Sequence, residues 1–292
     1  MRIQSVTFTK ISILLVLGLC LSSCTVLQWR SSDQEIKEKF EESYVNADIS
    51  YFKVDSLNLK VRIQAVTEPD NSINLIFFHG SPSSLSAWDA YALDSTLREK
   101  ANIYAIDRPG YGYSDFGNEM TSIQLQAQIM SALIKQKELK NVLTIGSSYG
   151  GPLAARIGYL NENVKAIVMI SPAIDPENEN DIWASRFTRW KLTRWLVPTS
   201  YRVAGDEKKV HAQELALIKD DWVKMTIPVY HLHDDKDDIV PYQNIEFTKK
   251  NFPNHKIVSF PERGHEIAWK NPDLIIPYLV ELINSLLVKN TN

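Results

Sequence analysis

The pentapeptide Gly146-Ser147-Ser148-Tyr149-Gly150 constrains this chain more than any other stretch. Residues 141–145 before it read as a short buried strand, and residues 151–160 after it read as a helix. A serine on so sharp a strand-to-helix turn is held in a strained backbone, so its neighbours must be small. Gly146, Gly150 and Gly151 meet that demand. The turn lifts the Ser148 hydroxyl out of the sheet, and the amides at the start of a helix are available to a developing oxyanion. A G-x-S-x-G spacing arises by chance in roughly one chain of this size in ten. Its weight therefore depends on what accompanies it.

A nucleophilic serine needs a base and a group that orients the base. Among six histidines, His265 stands out. It follows the strand-like run 256–260 and precedes the helix-like run 273–287, which places it at the carboxyl end of a strand, where sites of open α/β sheets collect. The acid should end an earlier strand. Residues 228–233 form one, and they run into Asp234-Asp235-Lys236-Asp237-Asp238-Ile239-Val240-Pro241. On chemistry alone the four aspartates leave the acid open, and most of them read as a solvated turn.

The apolar run 73–78 ends in His79-Gly80-Ser81-Pro82. A turn here can supply a second oxyanion donor; Pro82 has no N–H, so Ser81 is the candidate, with Tyr149 as the first donor. His79 reads as structural, its ring bonding neighbouring loops. His231 and His233 share one face of their strand, but no His, Cys and Asp spacing matches a closed metal site. No metal or cofactor is expected.

Together these residues resemble the α/β-hydrolase superfamily, in its esterase, haloperoxidase and meta-cleavage-hydrolase-like branch, over about residues 50–288. The motifs are His79-Gly80-Ser81-Pro82, the loop Asp107-Arg108-Pro109-Gly110-Tyr111-Gly112-Tyr113-Ser114, the Ser148 elbow, and the Asp237 region with Gly264-His265. The resemblance implies that the acid lies in a G-x-x-D-x-x-V-P pattern. Aligned on Val240-Pro241, this selects Asp237, with Asp234 in place of the glycine. Asp238 is the nearest alternative. Asp175 is another, because some members take their acid from the preceding strand.

The first 23 residues read as an address. Arg2 and Lys10 precede the mostly apolar run 11–21, which is too short to span a bilayer. The run ends in Leu21-Ser22-Ser23-Cys24, which resembles the bacterial lipobox and implies lipidation of Cys24. Loss of Arg2 and Lys10 takes the net charge from −3 to −5. Thr25 then favours the outer membrane by resemblance to enteric sorting rules. The expected organisation is a signal over 1–23, a lipidated tether with a helical patch over 24–48, and one domain over 49–292. The expected partners are a small acyl substrate and, through the lipid anchor, a membrane. No nucleic-acid footprint is visible.

About fifty residues without strand character, 176–226, separate the strands near 166–170 and 229. This is the position of a small helical lid. Trp183, Phe187 and Trp190 are spaced i, i+4, i+7, one helix face. The favoured expectation is that this face packs on the core; a wall of the substrate pocket and a basic amphipathic membrane surface are the alternatives. Alternating strand and helix patterns predict a mostly parallel eight-stranded sheet with helices on both faces. The expected activity is hydrolysis of carboxylic esters or related acyl compounds by Ser148, His265 and Asp237. Thioester, amide and C–C hydrolysis and perhydrolysis are alternatives within the fold. A non-catalytic envelope-associated binding lipoprotein is the alternative from another class, although it would be expected to have lost a triad member.

Overall fold

The computed structural model describes residues 28–180 and 185–291. The expected signal, Cys24, Thr25 and Trp183 lie outside the described residues.

Short apolar runs without strict alternation need cover on both faces, and the inner strands are used that way, while the edge strands stay partly exposed. They are β1 (Asp48–Val54), β2 (Leu59–Val66), β3 (Asn74–Phe78), β4 (Asn102–Ile106), β5 (Val142–Ser147), β6 (Val164–Ile170), β7 (Val229–Asp234) and β8 (His255–Phe260). They form one sheet in the order β1-β2-β4-β3-β5-β6-β7-β8. β2 is antiparallel to both of its neighbours, and every other adjacent pair is parallel. The expected eight-stranded, mostly parallel sheet is present.

The helices are α1 (Asp33–Glu42), α2 (Asp89–Leu93), α3 (Ser95–Arg98), α4 (Ile123–Gln136), α5 (Gly150–Leu160), α6 (Ser185–Arg189), α7 (Thr199–Ile218), α8 (Asn244–Asn251), α9 (Ile267–Lys270) and α10 (Pro272–Thr291). Ile76 and Phe78 of β3 join α4 and α5 in one apolar layer, while Leu75 and Phe77 join α1, α2 and α10 in the other. On α10 the buried stripe is Ile275, Leu279, Leu282, Ile283 and Leu286, the i, i+4, i+7 spacing of a helix seated on a sheet.

The helical patch expected within the tether belongs to this core. Ser32 and Glu35 form a capping box at the start of α1, and Ile36, Phe40, Val45 and Ala47 are buried in the second layer. Burial of Ile36 and Phe40 contributes about 1.5–3 kcal/mol each, enough to dock the helix. The domain thus begins before residue 49.

From β3 the chain moves to one side for β4, then crosses back to β5 on the other side. The carboxyl ends of β3 and β5 therefore meet where the strand order reverses, the place where open α/β sheets gather their sites. The register pairs Phe78 with Gly146, which sets the turn after β3 beside the turn after β5.

The lid holds α6, α7 and two 3-10 turns, Arg194–Leu196 and Lys219–Lys224. The expectation that its aromatic face packs on the core is not met by the two described members of that face: Phe187 and Trp190 are 43% and 61% exposed. α6 is a single five-residue turn, too short to carry a buried stripe. The lid is held by α7 instead, whose buried row is Val203, Glu207, His211 and Leu215.

Candidate active site

Ser148 has φ 53°, a left-handed conformation that costs a non-glycine residue about 1–3 kcal/mol and persists only where the surroundings enforce it. Here they do. A Cβ on Gly146 would lie 1.9 Å from the Gly150 carbonyl oxygen, and one on Gly150 would lie 2.2 Å from that of Phe78. The Ser148 N–H donates to the Ile170 carbonyl at 3.0 Å, tying the elbow to β6. Opposite it, a Cβ on Gly80 would sit 3.1 Å from Ser148 Cβ and 3.7 Å from its Oγ. The turn that carries Ser81 therefore presses against the elbow that carries Ser148 and Tyr149.

The candidate base and acid meet at the ends of β7 and β8. His265 Nδ1 lies 2.8 Å from Asp237 Oδ2. The other carboxylate oxygen, Oδ1, accepts the amides of Ile239 at 3.0 Å and Val240 at 2.8 Å. With Nδ1–H donated to Asp237, the other ring nitrogen, Nε2, is left as the acceptor. Burial works to raise the Asp237 pKa, but hydrogen bonds from His233 and His265 outweigh it and hold the carboxyl well below its usual range. No hydrogen bond among the described residues joins the Ser148 hydroxyl to His265. Such contacts are often long without substrate and tighten in the reacting complex.

The alternative acids are placed elsewhere. Asp175 accepts from the Glu177 amide at 2.9 Å and from Asn178 Nδ2 at 2.6 Å, and so closes its own turn. Asp238 is exposed. Asp234, read as part of a solvated turn, is fully buried. Its carboxylate accepts the amides of Lys236 at 2.8 Å and Arg263 at 2.6 Å, linking the loop of the acid to the loop of His265.

Sequence reasoning missed the second partner of Asp237. His233 Nε2 lies 3.3 Å from Asp237 Oδ2 and 3.1 Å from the Val240 carbonyl. Both neighbours are acceptors, so Nε2 carries the proton. His233 Nδ1 then accepts from His231 Nε2 at 2.9 Å, and His231 Nδ1 accepts from the Thr248 hydroxyl at 2.8 Å. Burial, followed by the neighbouring His233, drives the His231 pKa well below its usual value and keeps that ring neutral. The shared strand face of the two histidines was visible in the sequence, and the chain of donors behind the acid is what it builds.

A larger omission is Glu207 on α7. Its carboxylate is buried and accepts Arg108 Nη1 at 2.6 Å, Arg108 Nη2 at 3.2 Å and the Tyr111 hydroxyl at 2.7 Å. The Ser81 hydroxyl donates to it as well. Arg108, also fully buried, donates to the carbonyls of His79 at 2.9 Å and Gly80 at 3.1 Å. Its guanidinium stacks 4.3 Å from the Tyr149 ring centre. One ion pair thus spans the lid, the Asp107–Ser114 loop, the Gly80 turn and the residue after Ser148. Burial opposes the charge on Arg108, but Glu207 more than compensates and raises its pKa. His79 is driven well below its usual pKa by burial and by Arg108. Its Nδ1 donates to the Gly80 carbonyl at 2.7 Å and its Nε2 accepts the Arg108 amide at 3.0 Å, so the ring links the two loops.

This arrangement can be compared with known proteins. The Bacillus subtilis (strain 168) AB hydrolase superfamily protein YisY is 22% identical over 249 residues, covering 72% of this chain and 91% of its own length. A bromoperoxidase structure from Bacillus anthracis superposes with a TM-score of 0.68 at 18% identity, covering 81% of this chain and all of its own. An Exiguobacterium antarcticum esterase structure gives 0.63 at 18% identity, over 80% of this chain and 99% of its own. Residues 75–277 match the model of the alpha/beta hydrolase family, and with two thirds of the chain inside that match, this protein belongs to the family.

Proposed function

We propose that the protein is a serine hydrolase of carboxylic esters. The observation that carries this reading is the His265–Asp237 hydrogen bond, which leaves Nε2 as the basic nitrogen at the sheet end where Ser148 stands in its forced left-handed turn. In the proposed reaction, Ser148 Oγ attacks the ester carbonyl carbon and His265 Nε2 takes its proton. The amides of Ser81 and Tyr149 hold the tetrahedral oxyanion. Collapse breaks the C–O bond, and His265 returns the proton to the leaving alkoxide. Water, deprotonated by His265, then releases the acid and restores Ser148. Esters are less demanding than amides because an alkoxide is a far better leaving group than an amide nitrogen.

The test is covalent labelling with a fluorophosphonate probe. Wild type and Ser147→Ala should label on Ser148, whereas Ser148→Ala should lose the adduct and at least ~10³-fold in kcat on a soluble short-chain ester. A modification mapped to another residue sinks the assignment. The address is also part of the proposal: Cys24 is the lipidated N-terminus, supported by the small residues Ser22 and Ser23 before it. Intact mass of the mature protein should show acyl chains on Cys24, and an unmodified N-terminus elsewhere would exclude them.

A further inference from the structure

We propose that the outer surface of the lid is a docking face for an anionic lipid bilayer, entered at its edge by the N-terminal tether. The proposal rests on the reading of Cys24 as the anchor and is independent of the ester chemistry.

Single exposed apolar side chains are ordinary. The lid carries a cluster: Trp190, Leu192, Trp195 and Leu196 are 61%, 87%, 72% and 62% exposed. Such a patch marks an interaction site. Its surroundings say of what kind. Residues 182–205 contain Arg186, Arg189, Lys191, Arg194 and Arg202, with no Asp or Glu, in a chain of net charge −3. Asp206 neutralises Arg194, and Lys191 is exposed beside the tryptophans. Trp sits at the headgroup level of a membrane, with its apolar body inward and its N–H outward. Lys and Arg beside it are drawn to anionic lipid.

The path of the chain supplies the second argument. The described residues begin at Gln28, whose side-chain oxygen accepts the Ser200 amide at 3.4 Å, at the start of α7. From there Arg30 lays its guanidinium 4.0 Å over Tyr113 and 4.2 Å over Phe116. The chain therefore enters the domain at the lid. Cys24 is four residues before Gln28, and Leu196 is four residues before Ser200. Each span reaches at most about 14 Å. A lipid on Cys24 must enter the bilayer within about 36 Å of Leu196, once the Gln28 side chain and its hydrogen bond to Ser200 are included, still less than the full thickness of a membrane with its headgroups. The tether is thus too short to hold the lid far from the surface. Among the described residues no helix is long and apolar enough to cross a membrane.

The test uses the full chain as isolated from membranes. It is reconstituted into vesicles of phosphatidylcholine with phosphatidylglycerol, either ordinary or with brominated acyl chains that quench nearby tryptophan. Brominated vesicles should quench wild type, and Trp190→Phe combined with Trp195→Phe should remove at least about half of the quenched fraction. Replacing phosphatidylglycerol by phosphatidylcholine, or Lys191→Glu, should reduce the quenching. A vesicle-bound protein that is not quenched, or whose quenching is the same in the double variant, overturns the proposal. So does crosslinking that shows a second copy of the chain covering Trp190 and Trp195. Intact mass on the same sample reports the anchor, and turnover of a soluble short ester reports the hydrolase reading, so each failure is seen separately.

Discussion

Glu207→Ala tests the most consequential contact in the molecule. The variant leaves Arg108 charged, fully buried and without its counter-ion, and removes the acceptor of the Tyr111 and Ser81 hydroxyls. Breaking one side of a buried pair costs about 3–5 kcal/mol, because the stranded charge stays desolvated. Arg108 keeps the carbonyls of His79 and Gly80 and the Gln126 side chain as acceptors, which places the loss toward the lower figure. For a domain of this size each kcal/mol lowers Tm by roughly 2–4 °C, so a fall of about 6–12 °C is expected. Thermal unfolding followed by circular dichroism measures this fall, and urea unfolding measures the free-energy loss itself. Arg108→Met should also be destabilising, but adding Glu207→Ala to it should cost little more, giving a coupling energy of about 2–3 kcal/mol in the cycle. A Glu207→Ala loss under about 1 kcal/mol, the value of an exposed pair, or strictly additive variants, would refute the reasoning that this pair acts as a buried unit.

Asp237→Asn should lower kcat on a soluble ester by orders of magnitude, because an amide favours the wrong His265 tautomer; Asp175→Asn should stay near wild type, and the reverse result in steady-state assays would move the acid to β6. The depressed Asp237 pKa makes a stabilising contribution that is complete above its unfolded value near 3.8 and lost as pH falls toward the lower folded value. Urea midpoints taken from pH 6 to pH 3 should therefore fall below about pH 4, less steeply in Asp237→Asn. Gly146→Ala should fail to yield folded protein, since its Cβ would meet the Gly150 carbonyl at 1.9 Å; a soluble variant with a native circular-dichroism spectrum would contradict the steric reading of the elbow.

The parts of this fold legible in the sequence are those governed by local rules. Gly146 and Gly150 announce the elbow because a steric limit acts within five residues, and β3 and β5 are apolar runs bounded by turns. Asp237 was legible only through its register with Val240-Pro241. That register has a physical basis: Oδ1 must cap the Ile239 and Val240 amides while Oδ2 faces His265. What stayed hidden depends on distant partners. Glu207 lies on a helix rich in polar residues and reads as a solvated face; its partner Arg108 is 99 positions away, and no periodicity reports such a pair. The aromatic spacing of the lid defines a stripe but not its direction. The core took the 203–207–211–215 row of α7 instead, because Glu207 and His211 bring hydrogen bonds that the sheet end can satisfy. A tryptophan row packed against the buried Arg108 and the Ala173 carbonyl would leave those groups unpaired, at a cost of about 1–3 kcal/mol for each one. The same requirement that buries a carboxylate and an imidazole under the lid therefore turns its aromatic side outward.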